Sequence, residues 1–402
     1  MRVLCTTLGS PSHGRAQLPL LRALAAAGHQ VLVVTSEALA PVFRDDDVRV
    51  DAALPEFDPM ARMAPYLAEL QDTADPEERM AAMNRLVLRA LAGPGVKPHL
   101  DILLPRARDF RPDLILRDGM DMAAVLTAEL LDVPQLPTPS GFSNRLDPAE
   151  VLEQLNQRRR EAGLPESDDP LSVVPHGRVD YVPPAFSFAR HLPRALAYRQ
   201  TVDVERGAVL PEWAAGLRTD RPLVYAAIGT ALPVLRERAA GRSAPPPIEM
   251  PDPAESLRAI AGAATELDDC TVVVSTSGIP LDTEGLPGHI HVTDRVPQPL
   301  LLESVDLFLT HGGFNSIREA MRTGTPLAVL PHFGDQHANA DRVEELGLGR
   351  HLTDRSAAGI ADVCRKLLAD PAPRARARSA QLAMLALPGI EHAVADLEEL
   401  AG

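Results

Sequence analysis

Two clusters in the chain combine residue types and spacings that could do chemistry. In the first, His311 precedes Gly312 and Gly313, then Asn315, Ser316 and Glu319 follow at helical spacing, and Asp335-Gln336 closes the next loop. Paired glycines let backbone N–H groups approach an anion, and a helix N-terminus adds partial positive charge there. A nucleoside diphosphate sugar fits this inventory, with donors for phosphate, a carboxylate for ribose hydroxyls and an acid–amide pair for a sugar. Ser316 to Glu319 also fits a capping box, which would make both residues structural. In the second cluster, His13 lies in a Ser/Pro/Gly segment after the first apolar run, and Asp118 ends the run 114–117. Asp118 could instead cap the helix that follows, since aspartate is favoured at that position, and Asp121 is its local rival for a chemical role, being equally well placed in sequence.

The elements around these residues alternate strand and helix. Residues 2–7 read as a buried strand, 8–14 as a loop, 15–27 as a helix ended by Gly28, and 30–35 as a second strand. Pro19 is expected in or near the first turn of that helix, where N–H groups are unpaired anyway. Gly9 and Gly14 do not form GxGxxG, so a dinucleotide site is not indicated. Helices are expected at 59–70, 76–91 and 98–109, a strand at 114–117, a helix at 122–131 and a strand at 133–137. The pattern restarts at 221–230 and again ends in Gly-Thr, so the two halves repeat one architecture, with the boundary near Trp213. Residues 236–253, with Gly241 and Pro245-Pro246-Pro247, read as a loop. A strand at 305–309, a helix stopping at Gly324, a strand at 325–330 and a helix ending at Gly347 surround the first cluster. These readings divide the chain into 1–210, 211–384 and a terminal helix at 385–402 expected to pack back on the first domain.

At 402 residues the chain suits two domains of about 200 residues each. Hydrophobic content of 45% and charged content of 24% are those of a soluble globular protein. A net charge of −15 argues against nucleic acid or an anionic membrane as partner, so any phosphate site must be local. Cys5, Cys270 and Cys364 are isolated and form no CxxC, which indicates neither a disulfide framework nor zinc. His332 and His337 lack the HExxH form, and Asp45-Asp46-Asp47 reads as a solvated turn, so no metal is expected. No signal peptide and no membrane-length apolar run is present, which points to the cytoplasm.

The motif His311-Gly-Gly-Phe-Asn-Ser-x-x-Glu319, with Gly324-x-Pro326 and Asp335-Gln336-x-x-Asn339-Ala340, resembles the donor signature of family 1 nucleotide-sugar glycosyltransferases. His13 with Leu18-Pro19-Leu20, the restart at Arg221-Pro222 and Val296-Pro297-Gln298 match the same family. The likeness spans nearly the whole chain and looks closest to the bacterial branch acting on polyketides and other secondary metabolites. It implies an α/β GT-B fold, two Rossmann-like doubly wound domains facing across a cleft, with acceptor on the first and donor on the second. His13 would be the general base and Asp118 its orienting carboxylate, for transfer with inversion. Thr230, His311, Gly312, Gly313, Asn315 and Ser316 would hold the diphosphate, and Arg295, Val296, Gln298 and Glu319 the nucleoside. Asp335 and Gln336 would bind the sugar, a deoxysugar carried by dTDP or glucose by UDP. Ser12, Phe57, Met60, Tyr66, Met83, Phe142 and His332 would line a pocket for a bulky hydrophobic acceptor. No cofactor, no metal and a monomer or homodimer are expected. Ser12 stands where the family usually has glycine, and Arg295 where many relatives have tryptophan. A non-catalytic helper of the same fold, or an epimerase or hydrolase working without an acceptor, are the alternatives.

Overall fold

The structure, a computed structural model, describes residues 1–70, 76–199, 207–229 and 252–402. Thr230 and nearly all of the loop expected at 236–253 lie outside the described residues, as do the side chains of Met60 and Phe142. By its contacts the chain divides into residues 1–200 with 388–402, and residues 201–387. The first division thus falls ten residues before the expected one, and Trp213 belongs wholly to the second unit.

The first unit is built on a parallel sheet of β1 (Arg2–Thr6), β2 (Gln30–Val34), β3 (Arg49–Asp51), β4 (Leu114–Arg117) and β5 (Gln135–Pro137), in the order β3-β2-β1-β4-β5. Val3, Leu4, Cys5 and Leu114 to Leu116 are fully buried, as strands covered on both faces must be. Neighbouring β1 and β4 align Cys5 with Leu116. The chain leaves β1 towards one edge and returns at β4 on the other side, so the strand order reverses between them. Such a reversal opens a crevice at the carboxyl ends.

Helix α1 (Pro11–Ala26) starts four residues before its expected start, because Ser10 is extended and Pro11 occupies the first helical position. His13 is therefore helical rather than in a loop, and Pro19 falls in the interior, where it removes one backbone bond. The stretch expected as one helix at 59–70 is α2 (Pro59–Met63) followed by a 3-10 turn at Ala64–Leu70, since Pro65 interrupts it. Beyond it come α3 (Pro76–Leu91), α4 (Val96–Phe110), α5 (Met122–Leu131) and α6 (Pro148–Ala162). A two-stranded parallel ribbon, β6 (Val179–Asp180) and β7 (Leu196–Ala197), follows.

The second unit repeats the plan with β8 (Leu223–Ala227), α7 (Pro253–Thr265), β9 (Thr271–Ser275), β10 (Ile290–Thr293), α8 (Gln298–Leu301), β11 (Leu307–Thr310), α9 (Phe314–Thr323), β12 (Leu327–Val329), α10 (Gln336–Glu345) and β13 (Gly349–His351). Its parallel sheet runs β10-β9-β8-β11-β12-β13, with the reversal between β8 and β11. Helices α11 (Ala357–Ala369) and α12 (Pro371–Leu385) complete it, and α12 packs on α9. Among the described residues no helix is long and apolar enough to cross a membrane, and no group of three or more His, Cys, Asp or Glu could hold a metal.

The terminal helix α13 (His392–Ala401) belongs to the first unit and packs on α1. Ala393 and Leu397 are fully buried, Tyr198 donates to Asp396 at 2.6 Å, and the Arg199 N–H donates to the Pro388 carbonyl at 2.7 Å. Leu397→Ala should cost about 2–5 kcal/mol of first-unit stability, read as a lower urea midpoint in far-ultraviolet circular dichroism. Unchanged stability would mean that the helix is not part of the first unit's cooperative core.

Candidate functional site

In the first unit, the reversal between β1 and β4 brings His13 to Asp118. The imidazole Nδ1 lies 2.8 Å from Asp118 Oδ2, joining residues 105 apart in sequence. Asp118 Oδ2 also accepts from the Leu8 N–H at 3.3 Å, and Oδ1 accepts from the Met120 N–H at 3.0 Å. A carboxylate accepting from Nδ1 requires the proton there, which makes Nε2 the basic nitrogen of the ring. The His13 side chain keeps 16% exposure against none for Asp118, so the imidazole is the reachable member of the pair.

The competing reading of Asp118 as a helix cap is resolved by Asp121, which takes that place. Asp121 Oδ1 accepts from the Ala123 and Ala124 N–H groups at 3.0 and 3.1 Å. Asp118, three residues earlier, is left to the imidazole.

Beneath the pair lies a polar layer that sequence reading missed. Gln17, one turn after His13 on α1, is buried and donates to the Thr6 carbonyl at 3.0 Å and to Thr138 Oγ1 at 2.9 Å. Its amide oxygen accepts from Thr7 Oγ1 and from the Cys5 thiol. Thr138 donates to the Arg117 carbonyl at 3.0 Å, which ties α1 to the ends of β1, β4 and β5. A glutamine on an otherwise apolar helix face, four residues from a candidate base, was the available signal.

The expected acceptor residues divide. Ser12 lies in the first turn of α1, 2.6 Å from Ser10 Oγ, and Met83 is half-buried on α3. Phe57 and Tyr66 do not present open apolar surface. Both are buried, with the Arg62 guanidinium 4.7 Å over the Phe57 ring and that of Arg89 5.2 Å over Tyr66. Arginine stems covering aromatic faces bury them more fully than hydropathy suggests. His332 lies in the second unit, buried, with Nε2 2.9 Å from Ser256 Oγ.

In the second unit the His311-Gly312-Gly313 turn leaves the end of β11, beside β8. Gly313 is the helix cap, so no N-cap side chain covers the start of α9. Gly312 has a φ of +86°, and a Cβ on it would meet Val329 Cγ1 at 2.7 Å. The His311 ring fills the space between two glycines: a Cβ on Gly229 would lie 2.4 Å from its Cε1, and one on Gly313 2.5 Å from its Nε2. His311 is half-buried as a residue, and enclosure of its ring pushes its pKa down to about 4, with a hydrogen bond to the Ala227 backbone opposing the shift. The ring is therefore neutral at physiological pH, with a single N–H that either the Ala227 backbone or an anion can take.

Glu319 is no capping partner, because α9 starts at Phe314 and Glu319 lies inside it. Its Oε2 accepts from Gln298 Nε2 at 2.6 Å, and the same nitrogen donates to Ser316 Oγ at 3.1 Å. Val296 is half-buried and Arg295 exposed on the approach to α8. Asn315 accepts from the buried Arg318. On the next loop Asn339 donates to the Gly312 carbonyl at 3.0 Å and to Asp335 Oδ2 at 2.9 Å, which orients Asp335 beside the glycine turn. Gln336 is buried, and its Oε1 accepts from the His332 and Phe333 N–H groups at 2.9 and 3.2 Å. That oxygen is thus committed to shaping its own loop.

Residues 22–226 match the erythromycin biosynthesis protein CIII-like N-terminal domain, and residues 258–400 the corresponding C-terminal domain. The chain is 30% identical to the elloramycin glycosyltransferase ElmGT of Streptomyces olivaceus, over 96% of this chain and 94% of that one. It is 27% identical to the TDP-daunosamine transferase DnrS of Streptomyces peucetius, over 100% and 97%. The solved structure of the spinosyn rhamnosyltransferase SpnG superimposes with a TM-score of 0.75 at 26% identity, covering 99% of this chain and 100% of that one. The chain belongs to the erythromycin biosynthesis protein CIII-like family of glycosyltransferases and has the GT-B fold.

Burial also pushes the His332 pKa down to about 3, with His311, Arg355 and His337 adding to the shift. An unfolded histidine titrates near 6.5. The unfolded chain therefore binds more protons than the folded one as pH falls below about 6.5, and stability drops across that window. Each histidine contributes at most about 1.4 kcal/mol per pH unit until its folded pKa is reached. Trp213, the single tryptophan, lies in the second unit and reports its unfolding by fluorescence. The urea midpoint should fall between pH 6.5 and 4, and fall less steeply in His332→Asn; equal slopes would contradict a buried neutral His332.

Proposed function

We propose that the chain transfers a sugar from a nucleoside diphosphate, dTDP or UDP, to a hydroxyl of a bulky natural-product aglycone, with inversion at the anomeric carbon. The observation that carries this reading is the His13–Asp118 hydrogen bond at the β1/β4 reversal, which makes Nε2 the basic nitrogen of the ring. The acceptor hydroxyl gives its proton to Nε2 as its oxygen bonds to the anomeric carbon. The bond from that carbon to the diphosphate oxygen breaks on the opposite face, and Asp118 stabilises the imidazolium that forms. The leaving diphosphate takes neutral His311, the glycine-turn amides and the N-terminus of α9, with Thr230, Asn315 and Ser316 as further donors. Glu319 accepts from the ribose, with Gln298 holding its carboxylate and Val296 and Arg295 beside the base. Asp335, oriented by Asn339, accepts from the sugar hydroxyls; Gln336 contributes through its amide nitrogen. The names of two relatives, a TDP-daunosamine transferase and an elloramycin glycosyltransferase, support a TDP-linked sugar and a natural-product acceptor. No metal or other cofactor is part of this scheme.

With dTDP-glucose and a panel of phenolic aglycones, His13→Ala should lower kcat by about a hundredfold or more, leaving the calorimetric Kd for dTDP unchanged. Full turnover in that variant would remove His13 from the chemistry. Glucose released at the wild-type rate without any aglycone would favour hydrolysis instead. Glu319→Ala should weaken dTDP binding about tenfold, the loss of one charged hydrogen bond; an unaltered Kd would take the ribose contact away from Glu319.

A further inference from the structure

We propose that Arg117 is a positioning residue for the His13–Asp118 pair, fixing the carboxylate through its own main chain and setting the local field. The proposal rests on the reading of His13 as the base. Arg117 ends β4 and is fully buried. Its Nη1 donates to the carbonyls of Asp118 and Gly119, both at 3.2 Å. Its Nε donates to Gln135 Oε1 at 2.7 Å and its Nη2 to the Val173 carbonyl at 2.9 Å, which Gln135 Nε2 also reaches. The fork therefore grips the peptide group that follows Asp118 and the next one, whose Met120 N–H donates to Asp118 Oδ1, and ties them to β5 and to the 170–173 turn. Among the described residues no carboxylate stands within ion-pair distance of Arg117.

A purely structural clamp at this position could be neutral, and a buried cation without a contacting counterion is costly. What the charge adds is a field at Asp118 and Asp121, the two carboxylates nearest it. Burial pushes the guanidinium down to about 10, with Asp121 and Asp118 opposing, so it remains charged at neutral pH. The other titratable groups in this neighbourhood are His13 on α1, Cys5 on β1, Arg62 and His99 around Asp121, and His176, whose Nδ1 accepts from the Gln135 N–H. Asp118, the carboxylate that holds the His13 ring, thus lies in the field of a buried cation.

The test uses the full chain with labelled histidine, following the His13 ring by proton–nitrogen correlation spectra assigned with His13→Asn. In the wild type Nδ1 should carry the proton. In Arg117→Gln the titration should move to higher pH by about one unit, and the Nδ1–H signature should weaken. Arg117→Lys should restore the titration, which needs charge, but not the tautomer, which needs the fork. In Arg117→Gln kcat should fall at least tenfold with the donor KM unchanged. A folded Arg117→Gln, judged by wild-type far-ultraviolet circular dichroism and a cooperative urea transition, with wild-type ring signals and titration would overturn the proposal. If Arg117→Gln does not fold, a wild-type tautomer in Arg117→Lys overturns it. The ring readout does not depend on turnover, so failure of His13 as the base would show separately, as activity in His13→Ala.

Discussion

The hydrogen bond from His13 to Asp118 constrains most of the first unit. It spans 2.8 Å between helix α1 and the end of β4, and it can form only if β1 and β4 are neighbours in register. That adjacency needs a parallel sheet whose connections run outwards in opposite directions from its centre. It also needs α1 to begin early enough that its third residue points back over the sheet. Ser10 and Pro11 supply the start, and Gln17 anchors the helix one turn further on. The buried polar groups here are costly individually, and they are tolerated because nearly every one has a partner.

The second unit meets a similar demand with different chemistry. Here the reversal between β8 and β11 holds an imidazole by shape, between glycines at positions 229 and 313, instead of by a carboxylate. A histidine paired with aspartate and exposed at one edge suits proton transfer. A histidine enclosed without a contacting carboxylate stays neutral and suits donation to an anion. The same residue type is thereby suited to two purposes, separated by what surrounds it.

Much of this was legible in the sequence where local signals were strong. The helix at Met122–Leu131 and the one at Pro76–Leu91 fall where periodicity puts them, and the Gly-Gly turn lies where the apolar run stops. The start of α1 differs from the loop expected at 8–14 because Pro11, at the first helical position, favours a helix. The strands Arg49–Asp51 and Gly349–His351 are three-residue sheet edges with no alternation to detect. Burial of Gln17, Arg117, Phe57 and Tyr66 was illegible for a different reason. A polar side chain inside the sheet layer, or an aromatic ring under an arginine, is decided by contacts far away in sequence. No window around those residues contains the cause.

Helix α13 gives the chain an awkward order of synthesis. The polypeptide leaves the first unit at residue 200, builds the whole second unit, and only then supplies residues 388–402 to the first. A ribosome therefore releases an N-terminal unit lacking one helix, whose site on α1 stays uncovered while about 187 further residues are translated. At ordinary elongation rates that interval is on the order of ten seconds or more. The apolar patch awaiting Ala393 and Leu397 is thus exposed to chaperones and to other nascent chains for longer than any other part of this unit's surface. Stalled or truncated translation products would share that liability permanently.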